Sequence, residues 1–127
     1  MSGRVVHFEI PCDDRERAGA FYSKVFDWEV TELPEVGYTL VVSGPSGDEG
    51  PTEPGYINGG MMQREEPFAA PNLVIDVESI DAALETVRAA GGTLVSDREP
   101  VGDMGFAAYF KDTEGNLVGL WESTPRG

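Results

Sequence analysis

The feature that most constrains this chain is a repeat that survives as pattern rather than as identity. Residues His7 to Val30 can be laid on Asn72 to Val95 at a constant offset of 65 positions, without a gap. Few residues match, yet the order of polar and apolar positions does, as expected of one structural unit used twice. Each copy opens on a stretch that alternates polar and apolar residues, Val5-Val6-His7-Phe8-Glu9-Ile10 and Asn72-Leu73-Val74-Ile75-Asp76-Val77. Period two is the mark of a half-buried strand. A helix follows each strand. In the first copy Ala18, Phe21, Tyr22, Val25 and Phe26 form an apolar stripe, with Asp13 as the expected cap and Glu16 three residues on in the manner of a capping box. In the second copy Ile80, Ala83, Leu84 and Val87 repeat that spacing, Ser79 is the expected cap, and Gly91-Gly92 ends the helix.

Three shorter strands are expected after each helix: Trp28 to Glu32, Tyr38 to Ser43 and Tyr56 to Gln63, then Thr93 to Ser96, Phe106 to Lys111 and Leu117 to Glu122. The stretch from Gly44 to Gly55 holds four Gly and three Pro and is expected to be irregular. The predicted architecture is α+β: two tandem β-α-β-β-β modules, residues 4–63 and 71–123, in a single domain over 1–127. Each module's sheet is covered by a helix on one face only, so the other face must be buried or serve a purpose. Side by side, two such modules give a curved, cup-shaped mixed sheet with its helices outside. Pleat parity then packs Val6, Phe8 and Ile10, and likewise Leu73, Ile75 and Val77, on the helices. It turns His7 and Glu9, and likewise Asn72, Val74 and Asp76, toward the cup.

Composition narrows the partners. With 23 acidic and 9 basic side chains the net charge is −14, so nucleic acid and anionic membrane are excluded as expected partners, since phosphate contacts need Lys or Arg. The acid is scattered, as on a solvated surface; adaptation to concentrated salt is the sharper alternative. No apolar run reaches the roughly 20 residues that span a bilayer, and no apolar secretory leader opens the chain. One cysteine, Cys12, suits a reducing cytoplasm.

The motifs themselves resemble the vicinal oxygen chelate superfamily, the glyoxalase, bleomycin-resistance and extradiol dioxygenase proteins. They are His-Phe-Glu-Ile-Pro at 7 to 11, Phe-Tyr-Ser-Lys-Val-Phe-Asp-Trp at 21 to 28, Gly59-Gly60-Met61, and Asp-Thr-Glu-Gly-Asn-Leu-Val-Gly-Leu-Trp-Glu at 112 to 122. Asp27 and Thr113 stand where family members often carry Gly and Pro. The resemblance implies the two-module fold, and in the family's metal enzymes a divalent ion held from the first and last strand of each half. On this chain those places are His7, Asn72, Gly59 or Gly60, and Gly119. Only His7 is a strong donor, so no cofactor is predicted. Glu122 enters as a ligand with His7 only under a metal-dependent alternative, because strict alternation turns it away from the face of Gly119.

Three functions follow. The first is a protein lacking a complete metal site that binds a small organic molecule in the cup, with His7, Asn72, Asp76, Tyr109, Trp121 and Met61 as ligand contacts. The second is a metal-dependent lyase, isomerase or dioxygenase resembling glyoxalase I, the lactoylglutathione lyase. The third is a metal-free acid–base enzyme in which His7 or Glu9, the two candidate catalytic groups, moves a proton on a bound substrate. Trp121, Tyr109 and the Met61-Met62 pair serve packing on the plainer reading, and Cys12 a buried thiol. Unpaired strand edges lead to the expectation of a homodimer.

Overall fold

The structure, a computed structural model, describes residues 3–124. It divides into two units, His7–Pro71 and a second made of residues 3–6 with 72–124. Residues 4–6, expected in the first module, group with the second unit.

The first unit contains β1 (Val5–Cys12, counted here from His7), α1 (Arg15–Phe26), β2 (Glu29–Leu33), β3 (Tyr38–Val42), β4 (Ser46–Gly47), β5 (Gly50–Pro51) and β6 (Asn58–Gln63). Its sheet runs β2-β3-β6-β1, with β1 parallel to β6 and the other pairs antiparallel. The second unit contains β7 (Asn72–Asp76), α2 (Ile80–Ala89), β8 (Thr93–Leu94), β9 (Glu99–Val101), β10 (Gly105–Lys111) and β11 (Leu117–Ser123). Its sheet runs β8-β10-β11-β7, with β7 parallel to β11 and β9 on the free side of β10. In both units the first strand returns beside the last one as its parallel neighbour, so the repeat read from the pattern is a repeat of topology. The fold is α+β, as that pattern implied.

Each helix buries one stripe. In the second unit Ile80, Leu84 and Val77 close a core with Ala108 and Leu120, and Ile75, Ala83, Leu94, Phe106 and Phe110 pack around it. In the first unit Cys12, Val41 and Met61 form the centre, with Phe8, Ile10, Ala18, Tyr22 and Trp28 against them. Tyr22 lies flat on Trp28, ring centres 4.9 Å apart at 9°, a contact that adds to area burial.

Several local expectations need correction. The α1 cap is Asp14, whose carboxylate accepts from the Arg17 N–H at 3.0 Å; Asp13 pairs with Arg64 instead, and no capping box forms. Ser79 does cap α2, accepting from Ala82 N–H. The α1 stripe is only partly used: Ala18 and Tyr22 meet the sheet, while Phe21, Val25 and Phe26 are more than half exposed. The buried Gly19 faces Val30, where a Cβ would lie 3.0 Å from the Val30 Cγ1. Val6 and Leu73 are also exposed rather than packed on a helix. The glycine-rich stretch is not wholly irregular, since β4 and β5 pair as a short hairpin. The strand β9 had no counterpart in the sequence reading.

Asp27 ends α1 in the left-handed conformation with φ 63°. A side chain in that region is strained, and a carboxylate at a helix C-terminus opposes the helix dipole. Asp27→Gly is therefore expected to raise stability by about 1 kcal/mol, after the larger entropy loss of glycine on folding is subtracted. A urea midpoint that falls in the variant contradicts this.

Candidate functional site

The strand β1 is two-faced. Phe8, Ile10 and Cys12 point to the α1 side and join the core there, so alternation sends His7 and Glu9 to the opposite face. Register adds Gly60, the β6 partner of Glu9, and Leu40, the β3 partner of Gly60. Tyr38 shares the parity of Leu40 and brings its ring onto this face.

His7, Glu9 and Tyr38 meet there. The His7 Nε2 lies 2.8 Å from the Tyr38 hydroxyl, and that hydroxyl donates to Glu9 Oε2 at 3.2 Å. The imidazole and phenol rings are nearly parallel, 6.3 Å between centres. Glu9 is only 5% exposed. Burial pushes the His7 pKa below its ordinary value, and the charge of Glu9 partly offsets the shift. His7 is thus neutral near pH 7, poised to exchange a proton or accept a hydrogen bond.

What admits Tyr38 is a missing side chain. A Cβ at Gly60 would stand 2.0 Å from the Tyr38 oxygen and 2.1 Å from its Cζ. The phenol therefore occupies the volume that any side chain at position 60 would need. Gly59 faces the other way, where a Cβ would lie 2.4 Å from the Phe8 carbonyl. Sequence reasoning singled out Gly60 and missed Tyr38, although a tyrosine on the same-parity row of the neighbouring strand was the available signal.

The second unit repeats the device. Tyr109 is the β10 partner of Gly119 in β11, and a Cβ at Gly119 would meet the Tyr109 ring at 3.0 Å and Val74 at 3.1 Å. Trp121, two residues on, pairs with Ala107 and with Asp76 of β7. Its indole N–H donates to Ser123 Oγ at 3.1 Å, and its ring lies over Gly105. Asn72 and Val74 are buried, and Asp76 is half-buried. Tyr109, Trp121, Val74 and Asp76 thus share the face of this sheet opposite α2.

Two candidates lie elsewhere. Met61, expected to touch a ligand, is completely buried in the α1-side core of the first unit, opposite His7. Glu122 shares the α2 side with Leu120. Its Oε1 accepts from the Ile80 N–H at 2.8 Å and its Oε2 from Arg98 at 3.0 Å, while Arg98 stacks on Phe106. These donors hold the Glu122 pKa below the usual carboxyl range, Arg98 first and the Ile80 amide next. Cys12 is a buried thiol whose pKa is raised by burial, and it donates to the Ile10 carbonyl. A groove of about 610 Å³ beside α1 is floored by Arg15, Glu32 and Thr39, which bond one another, and holds none of the sequence candidates.

Two measurements check this geometry. Gly60→Ala must displace Tyr38, costing about 1–3 kcal/mol of stability, and the same change in a Tyr38→Ala background is expected to be nearly neutral. Additive effects in that double-mutant cycle would mean that the ring does not rest on position 60. For Glu122, the folded-state pKa is depressed. Its stabilisation is therefore complete above the ordinary carboxyl value of about 4.3 and is lost as pH falls through the folded value. Glu122→Gln is expected to lower the Tm at pH 7 by an amount that shrinks as the pH falls below the ordinary carboxyl value; a gap that stays the same or widens on acidification contradicts it.

Comparison with known proteins agrees with this geometry. The family model for the Glyoxalase/Bleomycin resistance protein/Dioxygenase superfamily matches residues 4–120. A glyoxylase-like domain-containing protein of Didymella fabae is 32% identical over 118 residues, 91% of each chain. A probable lactoylglutathione lyase of Vibrio cholerae is 30% identical, covering 92% of this chain and 88% of its own. Among solved structures, a Streptomyces coelicolor methylmalonyl-CoA epimerase in complex with 2-nitronate-propionyl-CoA superposes with a TM-score of 0.67 at 17% identity. It covers 98% of this chain and all of its own. The hypothetical protein BH1468 from Bacillus halodurans gives 0.69 at 16% identity, covering 100% of this chain and 99% of its own. Those two likenesses carry the fold, and the family match carries the conclusion: this chain belongs to the Glyoxalase/Bleomycin resistance protein/Dioxygenase superfamily.

Proposed function

We propose that the chain binds a small organic molecule at the sheet face bearing His7, Tyr38 and Glu9, and that it does so without a divalent ion. The observation that carries this reading is the Tyr38 phenol, which stands in the place of a side chain at Gly60 and is bonded to both His7 and Glu9. The residues at the family's ligand positions do not fit a metal. The His7 Nε2 is engaged by a phenol, Gly60 and Gly119 carry no donor, and Glu122 spends both oxygens on Ile80 and Arg98. A divalent ion needs several such donors free and convergent. Small organic ligands also suit a relative named as a probable lactoylglutathione lyase and a protein of the same fold solved with 2-nitronate-propionyl-CoA.

A second reading, acid–base catalysis, is favoured by the neutral imidazole hydrogen-bonded through Tyr38 to a buried carboxylate. On the second unit, taken by itself, Asn72, Asp76, Tyr109 and Trp121 are proposed as ligand contacts. Self-association as a homodimer is likewise proposed, and the exposed Phe21, Val25 and Phe26 offer it apolar surface. Among the described residues no helix is long and apolar enough to cross a membrane; a cytoplasmic setting is proposed from the single free thiol of Cys12.

A thermal-shift screen of small organic molecules tests the proposal. A ligand at 100 times its Kd is expected to add about 2.7 kcal/mol of stability, a gain that His7→Ala abolishes and that chelation followed by Ni²⁺ or Zn²⁺ leaves unchanged. Ligand affinity that disappears on chelation and returns with the metal would overturn it.

A further inference from the structure

The chain has one histidine, and its surroundings specify where that residue keeps its proton. Three groups stand in line: the Glu9 carboxylate, the Tyr38 hydroxyl and the His7 Nε2. A carboxylate can only accept, and a phenol has a single proton to give. With the phenol proton given to Glu9, the Tyr38 oxygen faces Nε2 as an acceptor. Nε2 must then carry the hydrogen, and in a neutral imidazole Nδ1 is left as a bare lone pair. The reverse arrangement, with Tyr38 donating to His7, would leave a carboxylate 3.2 Å from the phenol oxygen with no proton between them.

We infer that Glu9 and Tyr38 are positioning residues that fix His7 as its Nε2–H tautomer, so that Nδ1 is the atom that meets the ligand and selects one presenting an N–H or O–H donor. Nδ1 has no hydrogen-bond partner among the described residues, and the ring is half-buried rather than sealed. A carboxylate ligand cannot satisfy Nδ1 in this tautomer and also approaches Glu9 against like charge. The inference rests on the proposed ligand site at His7. It gives the Gly60 vacancy a purpose, since only a missing side chain lets the phenol reach both neighbours. The direction of the hydrogen-bond chain follows from the carboxylate end, so Glu9 acts on the ligand through Tyr38 and His7.

Long-range ¹H–¹⁵N NMR of ¹⁵N-labelled protein reads the two ring nitrogens of His7 without ambiguity, because no other histidine contributes. In the ligand-free protein above the His7 pKa, Nε2 is expected at the protonated-nitrogen position and Nδ1 at the unprotonated one. Tyr38→Phe keeps the ring over Gly60 but removes the hydroxyl, and is expected to collapse that difference toward the average of two tautomers. Glu9→Gln, which can donate as well as accept, is expected to collapse it too. An Nδ1–H tautomer in the parent protein overturns the inference, as does an undisturbed pattern in Tyr38→Phe. If a variant fails to fold, the parent spectrum alone decides the tautomer.

The ligand arm uses phenol and aniline as donors and benzoate as a matched acceptor. The donors are expected to move the Nδ1 resonance and benzoate to leave it in place. A larger shift with benzoate, or no shift with either donor, overturns the ligand assignment. Since the tautomer is measured without ligand, failure there is distinct from failure of the proposed binding function, which the thermal-shift screen reads separately.

Discussion

Because Gly60 carries no side chain, the ring of Tyr38 can rest on the β6 backbone, and from that position a single phenol oxygen reaches both a histidine and a buried carboxylate. Other features of the site depend on this contact. The imidazole is oriented, the carboxylate accepts a hydrogen bond from a hydroxyl, and position 60 is closed to any donor. Burying Glu9 without such a partner would cost several kcal/mol per charge. A substitution at position 60 therefore acts on the chemistry of His7, two strands from Tyr38 in the sheet order.

The two units share this solution in part. Each sets a tyrosine from the antiparallel neighbour of its last strand against a glycine in that strand, Tyr38 with Gly60 and Tyr109 with Gly119. Their surroundings differ. The first unit places His7 and Glu9 around the phenol, whereas the second surrounds its tyrosine with Val74 and, farther along β11, Trp121. Duplicated topology has thus been kept while the chemistry of the two faces has diverged. In the second unit the last carboxylate, Glu122, has been taken up on the helix side as a partner for the start of α2 and for Arg98. Fold membership and chemical role are separable in this way because the helix-side face holds the core together and the opposite face is free to vary.

Much of this was legible in the chain. Alternation in Val5 to Ile10 sorted His7 and Glu9 from Phe8 and Ile10, and the structure keeps that sorting. The same rule placed Glu122 on the α2 side. Errors arose where a pattern had two physical outlets. The α1 stripe of Phe21, Val25 and Phe26 reads as buried, but only Ala18 and Tyr22 of that stripe pack on the sheet and the other three are more than half exposed. Met61 follows Gly60 and falls on the opposite face, into the core. Asp13 and Asp14 are equally good caps by type, and only the path of the turn selects Asp14.

The sequence by itself determined the doubled module, the helices with their approximate ends, and the face on which each β1 and β7 side chain lies, because these depend on periodicities of two and 3.6 residues that are local to the chain. Tertiary structure alone decided that Tyr38, distant in sequence, should join His7 to Glu9 over Gly60. It likewise decided that Glu122 should serve α2. Such contacts depend on strand register and on rotamers chosen by packing, and neither is encoded in the spacing of residues along one segment.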